Sequence, residues 1–299
     1  MNASPATTAS APKRPFFLGA RGIVLVALGA AAIASWFLLD LSVGGLVPQR
    51  GGVRIVREFF AGALRPALAY ESDVPEGTPS ILANTLAGAR RTVVFATAGM
   101  SLAVVLGVVL GFLGSSAWWT GDPAGGATRA SRFLRRFVWP GVWFVARTLI
   151  VGMRSVHELL WAVLFLAAFG LNTFGAVIAI AIPYGGTLAK IFSEMVDEAP
   201  RDAGLALRGI GARPTVVFFF GLLPRALPDM CAYTFYRFEC AVRSSAVLGF
   251  FGFPTLGYAI AQSFENLHYR EVWTYLYALM ALVVLIEVWS GAVRSRFVA

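Results

Sequence analysis

Cysteine, histidine and lysine are all scarce in this sequence, and each scarcity closes off a class of chemistry. The two cysteines, Cys231 and Cys240, fall in one apolar segment. On a helix they stand about 13 Å apart along the axis, too far for a disulfide, so both are small apolar packing residues. The two histidines, His157 and His268, are far apart, which leaves no His/Cys metal cluster, and no Ser/His/Asp arrangement is visible. The only lysines are Lys13 and Lys190, and neither follows the glycines of a phosphate-binding loop, G-x-x-x-x-G-K-[ST]. The chain therefore does not hydrolyse ATP by that route, and nothing in it marks an enzyme or a bound cofactor. Charge is scarce too: 14% of residues are charged, against about a quarter in soluble domains.

What the chain has instead is apolar length. It is 58% hydrophobic over 299 residues, with a mean hydropathy of +0.71, which makes it an integral membrane protein. Several apolar runs approach the roughly 20 residues that a membrane helix needs. They lack strict alternation, so they predict an all-α, polytopic bundle and not a barrel. The formal charge of +9 is almost all arginine. The arginines sit at span ends, as the positive-inside rule expects of a membrane protein, and this placement argues against a nucleic-acid partner.

Residues 1–15 read as a disordered tail on the inner side. Residues 16–91 hold a first span, Phe16 to Leu41, and an outer segment, Ser42 to Gly88. The first span is long, lacks a clean small-residue cleavage site and precedes further spans, unlike a signal peptide. In the outer segment, Val53 to Phe60 suits an interfacial amphipathic helix. Residues 92–299 form the membrane core. Its spans are expected at Thr92 to Leu113, within Val138 to Phe169, at Thr173 to Phe192, from near Pro214, and at Val272 to Val293. An arginine-rich loop with Arg129, Arg132, Arg135 and Arg136 marks the inner side. This predicts six spans with both termini inside. Trp118, Trp119, Trp139, Trp143, Trp273 and Trp289 suit interface anchors, and Glu287 is expected to pair with an arginine such as Arg294.

One polar interruption stands out, from Pro200 to Pro224. Pro200 can open a short helix because its missing N–H is not needed there, and Gly209 and Gly211 can end it. The result is a compact helical element between two spans, placed to relay the movement of a bound partner.

This loop resembles the cytoplasmic loop of ABC-importer permeases. That family carries Glu-Ala-Ala, three residues, Gly, nine residues and Ile-x-Leu-Pro. Alignment on Gly211 puts Leu205, Ala206 and Leu207 at the Glu-Ala-Ala positions and Gly221 to Pro224 at the last four. Ala206, Gly211, Leu223 and Pro224 match; Leu205 replaces the glutamate and puts one brace of the loop in question. Further on, Tyr236-Arg237-Phe238-Glu239 with Val242 to Gly249 is similar to the phosphonate-importer permeases, as is Arg154 to Ala162. His157 stands where that subfamily usually has proline, and Gly252 to Gly257 replaces a Gly-Ala-Gly-Gly-Ile-Gly type run.

The resemblance implies a type I permease core over 92–299, in the bacterial inner membrane. It implies partners as well: ATPase subunits that bind the ATP, a periplasmic substrate-binding protein, a second permease copy, and surrounding lipid. The coupling loop would span about 198–213. The solute would be phosphonate or a related phosphorus oxyanion. An ion-coupled transporter or channel and a membrane scaffold subunit are the competing classes.

Ionisable residues inside spans cost roughly 2.5 to 3.5 kcal/mol each at the centre and mark functional candidates. Arg154, His157 and Glu158 form one group, and Arg237, Glu239 and Arg243 with Ser244 form another. They suit a passage for an oxyanion, since the arginine fork binds two oxygens at once. The alternative is internal pairing, with Glu158 and Glu239 neutralising nearby arginines and His157 as a packing residue. The break at Gly249, Gly252 and Gly257 suits a re-entrant gate or an ordinary edge loop.

Overall fold

A computed structural model describes residues 20–46, 51–117, 136 and 138–298, and every described element is helical. The tail 1–15, Arg129, Arg132 and Arg135, and Trp118 and Trp119 lie outside the described residues. The chain divides into two units, Met1–Glu58 and Phe59–Ala299. The first holds α1 (Ala20–Leu38), an apolar helix, and the start of α2 (Gly52–Ala63). Arg54 and Glu58 pair one turn apart on α2 at 3.6 Å. A helix thus stands where the amphipathic segment was expected, with Val53, Val56 and Phe60 exposed.

In the second unit, α3 runs Ile81–Gly114. It begins at Ile81 and not at the expected Thr92, because Ser80 caps it by accepting from the Ala83 N–H at 3.3 Å. Nothing in the polar stretch that follows, Asn84 to Arg91, breaks a helix. Further along the chain come α4 (Trp139–Ser155) and α5 (Glu158–Phe169), then α6 (Thr173–Glu198) and the short α7 (Asp202–Gly209). A turn at Pro214–Val216 and a π-helical turn at Val217–Leu222 lead into α8 (Leu223–Val247). The chain ends in α9 (Leu256–Glu265) and α10 (Tyr269–Val298).

Three helices, α3, α6 and α10, are each long and apolar enough to cross a membrane. Two bent pairs pass the same test jointly: α4 with α5, bent by 90°, and the α8 segment with α9, bent by 43°. Gly22–Leu38 is apolar but shorter. Of the six expected spans, up to five meet the test of length and composition, three as single helices and two as bent pairs, while the described part of the first, Gly22–Leu38, falls short of it. The third is broken at Val156–His157, where an extended residue and a new N-cap interrupt the helix.

The core is built around α6. It lies parallel to α3, with Gly99 facing Ile180, Gly107 facing Leu188 and Gly111 facing Phe192. A Cβ at Gly107 would stand 2.7 Å from Leu188 Cβ, and one at Gly186 on the other side would stand 2.7 Å from Met153 Cβ. Small residues are what permit this approach, since lipid offers no hydrophobic drive for helices to associate.

At the far end, the stretch from Phe59 is strapped to the start of α10. Trp273 Nε1 donates to Phe59 O at 2.6 Å, Tyr277 Oη to Ala63 O at 2.9 Å and Thr274 Oγ1 to Ala67 O at 2.7 Å. The bond to Ala63 O satisfies a carbonyl that the end of α2 leaves open.

Candidate functional site

The polar loop of the sequence folds as α7, a helix of 8 residues between α6 and α8. Asp202, not Pro200, is its first residue, and Pro200 sits outside it. The helix ends at Gly209, as the glycines foretell, and Gly211 takes a left-handed φ of 81°. Its inner face rests on the π-helical turn. Gly221 meets Gly204 so closely that a Cβ on Gly221 would stand 3.2 Å from Gly204 Cα. Its outer face is bare: Leu205 is 60% and Ile210 82% exposed. Ala206, Arg208 and Pro224 are exposed as well, while Leu207 and Leu223 are half-buried.

Leu205 leaves the family's glutamate position without a charge, and other contacts brace the loop. Asp202 lies 4.0 Å from Arg225 at the base of α8. Asp197, near the end of α6, holds the neighbouring turn of α3. It accepts from Ser115 Oγ at 2.7 Å, from the Ser116 N–H at 2.9 Å and from the Ala117 N–H at 3.0 Å. Arg147 of α4 stands 3.7 Å from the same carboxylate and donates to Gly114 O at 2.9 Å. Asp197 thus ties three helices together just before the exposed helix. Sequence reasoning missed it, because its partners lie about 80 positions away and no local motif announces them.

Within the spans, the structure divides the candidate charges. Glu158 and Ser244 come together, Ser244 Oγ donating to Glu158 Oε1 at 2.9 Å. Tyr184 of α6, 2.9 Å from Ser244 Oγ, completes a chain of hydroxyls ending on the carboxylate. His157 is the N-cap of α5: its Nδ1 accepts from the Leu159 N–H at 3.3 Å, and its Nε2 lies 3.6 Å from Glu158 Oε2. No arginine pairs with Glu158 among the described residues, which corrects the expectation of internal neutralisation there. Arg154 and Arg243 are exposed. Arg237 donates to Tyr233 Oη at 2.8 Å and lies over the rings of Tyr233 and Tyr236.

Glu239 does pair with an arginine, but across the bundle: Arg294 of α10 donates to it at 3.1 Å. Arg294 is therefore not the partner of Glu287, which is exposed. Seven residues of helix separate those two by about 10 Å along the axis.

The glycine break is a crossing of backbones. A Cβ on Gly249 would collide with the backbone at Gly257 and Tyr258, and one on Gly257 with the carbonyl of Ala246. Gly252 caps the turn at Leu248–Phe251 with φ 94° and packs on Leu171. Thr255 Oγ1 donates to Ala246 O at 3.1 Å, and Thr92 Oγ1 accepts from the Leu256 N–H at 3.1 Å. The crossing at Gly249 and Gly257 is thus buried in protein, while Phe250, Gly252 and Pro254 stay exposed.

Comparison with known proteins agrees with this layout. Residues 104–297 match the model of the binding-protein-dependent transport system inner membrane component family. The chain belongs to that family. It is 35% identical over 161 residues to the phosphite transport system permease protein PtxC of Stutzerimonas stutzeri, covering 53% of this chain and 58% of that one. It is 33% identical over 159 residues to the phosphate-import permease protein PhnE of Mycolicibacterium smegmatis, covering 53% of this chain and 30% of that one. The chain thus spans less than two thirds of the length of either relative.

Among solved structures, an amino acid ABC transporter with histidines superposes with a TM-score of 0.58 at 15% identity, over 72% of this chain and 94% of that one. The MetNI methionine ABC transporter in an inward-facing conformation gives 0.58 at 18% identity, over 75% of this chain and 99% of that one. At those identities the likeness is one of fold: this family member has the architecture of an ABC-transporter membrane subunit.

Proposed function

We propose that this chain is the permease subunit of an ATP-driven importer that moves phosphonate or a related phosphorus oxyanion across the inner membrane. The observation that carries the proposal is α7, a short helix seated on its own bundle through Gly204 and Gly221 with Leu205 and Ile210 bare. An exposed apolar face on a helix fixed from beneath is a surface for a partner. In this family fold that partner is an ATPase subunit, which supplies the ATP chemistry that the chain lacks. The coupling element runs from Glu198 to Arg213 and lies on the cytoplasmic side, as do both termini. The Ile81 end of α3 then faces outward, where a substrate-binding protein delivers the solute. A second copy of the chain completes the membrane portion. The substrate class rests on the relatives named for phosphite and phosphate.

Uptake of methylphosphonate, phosphite and phosphate into vesicles containing the chain, its ATPase and its binding protein tests the whole proposal. Uptake should require both ATP and the ATPase. Uptake without either would assign the chain to the ion-coupled transporters or channels instead. Gly211→Asp, a substitution at a left-handed φ, should abolish ATP-driven uptake while leaving membrane insertion intact. Normal uptake by that variant removes α7 from the coupling role.

A further inference from the structure

The cavities along the flanks of the bundle, such as those beside Trp289 and Met230, are walled by mainly apolar side chains. Two cavities have walls of mixed polarity, one beside α7 lined by Arg201 and Arg208, and a larger one. The larger has a volume of about 510 Å³ and lies among the first turns of α3, α9 and the start of α10. Polar groups make up about half of its walls, among them Asn84, Arg91, Thr255, Tyr258, Gln262 and Asn266. A volume in this range is that of a small-molecule site.

Its position follows from the helix register. Gly99 faces Ile180, so Thr173, where α6 begins, is level with about Thr92. The part of α3 from Ile81 to Arg91 therefore rises about 15 Å beyond the α5–α6 turn. The cavity sits beside that projection, at the mouth that the proposed function assigns to the outer side.

The charges in the walls are unequal in availability. Glu271 is 3% exposed. Its Oε1 accepts from the Glu71 N–H at 2.7 Å and its Oε2 from Ser263 Oγ at 2.9 Å. His268 Nδ1 lies 3.7 Å from the same carboxylate. That carboxylate is spent on holding the cavity together. Arg91 is exposed and has no carboxylate partner among the described residues. Near it the hydroxyl of Tyr258 accepts from Gln262 Nε2 at 2.9 Å, which leaves its own proton free to donate. A free guanidinium fork and an uncommitted hydroxyl in one cavity are matched to a tetrahedral oxyanion.

We infer that this cavity is a receiving site for a phosphorus oxyanion at the outer mouth, with Arg91 as its cation and Tyr258 as a hydroxyl donor. The inference rests on the proposed function for its substrate class and places that substrate at residues outside the Glu158 and Arg237 groups. A phospholipid headgroup presents the same chemistry, so the two sources need separate measurements.

Methylphosphonate binding should be titrated on the full-length chain, delipidated in maltoside detergent, with retained phospholipid counted by mass spectrometry in parallel. Arg91→Gln should weaken methylphosphonate binding about tenfold or more, the loss of one charge-assisted fork. Arg91→Lys should recover part of it. Arg90→Gln, next in sequence but not in the wall, should bind as the wild type does and serves as the control for folding. Equal binding by wild type and Arg91→Gln overturns the inference. So does a wild type that binds no free anion but loses retained phospholipid when Arg91 is replaced, which would make Arg91 a lipid anchor. The binding is read without partner proteins, so a failure of ATP-driven uptake bears on the proposed function and not on this site.

Discussion

Glu239 and Glu158 both lie inside membrane spans, and the bundle treats them differently. Glu239 is 7% exposed and held by Arg294, a partner of opposite charge on another helix. Glu158 is half-buried and held by hydroxyls, Ser244 directly and Tyr184 behind it, with His157 beside it. The first arrangement is a crosslink between α8 and α10, since neither charge can leave without stranding the other. The second leaves a carboxylate with no arginine or lysine partner among the described residues, held by hydroxyls that can reorient about their C–O bonds. A charge that is fixed serves packing; a charge with exchangeable partners is the better candidate for a part in transport, one that steers an anionic solute by repulsion and does not bind it.

The largest effect that separates the two should come from Arg294→Ala. It strands a buried carboxylate and should lower stability by about 3 kcal/mol, read as the midpoint of thermal unfolding in detergent. The double replacement of Glu239 and Arg294 by leucine should regain most of that loss. A wild-type midpoint for Arg294→Ala would dissolve the distinction. Ser244→Ala comes next, because it removes a hydrogen bond to a charged group, at about 1.5 kcal/mol. Its loss should not add to that of Tyr184→Phe, since the two hydroxyls act in one chain; strict additivity would show that the chain is not coupled. Glu158→Gln should change stability least, by about 0.5 kcal/mol, because the amide oxygen still accepts from Ser244. Its effect should appear in ATP-driven uptake, and uptake equal to the wild type would return Glu158 to a packing role.

Much of this was legible in the sequence where the information is local. The apolar runs, the end of α7 at Gly209 and the glycine break at Gly249 to Gly257 are written in neighbouring residues. The glycines announce a break, but not the backbone crossing that requires them. Partners were not legible. Arg294 meets Glu239 from 55 positions away, and Ser115 meets Asp197 from 82. Charge matching along one helix favoured Glu287 for Arg294, yet a shared face does not shorten the rise between two turns. The early start of α3 was hidden for a related reason: Asn84, Arg90 and Arg91 look like the end of a span, while the helix simply continues beyond the lipid.

That continuation has a mechanical consequence. At 34 residues, α3 is about 51 Å long. Its C-terminal cap, Ser115, grips Asp197 beside the exposed helix, while its first turns carry Asn84 and Arg91 into the polar cavity. Between those ends it is seated against α6 through Gly99, Gly107 and Gly111, backbone close to backbone. Paired so closely, the two helices behave as a connecting rod. A tilt of the pair about one end would displace the other end in proportion to that length.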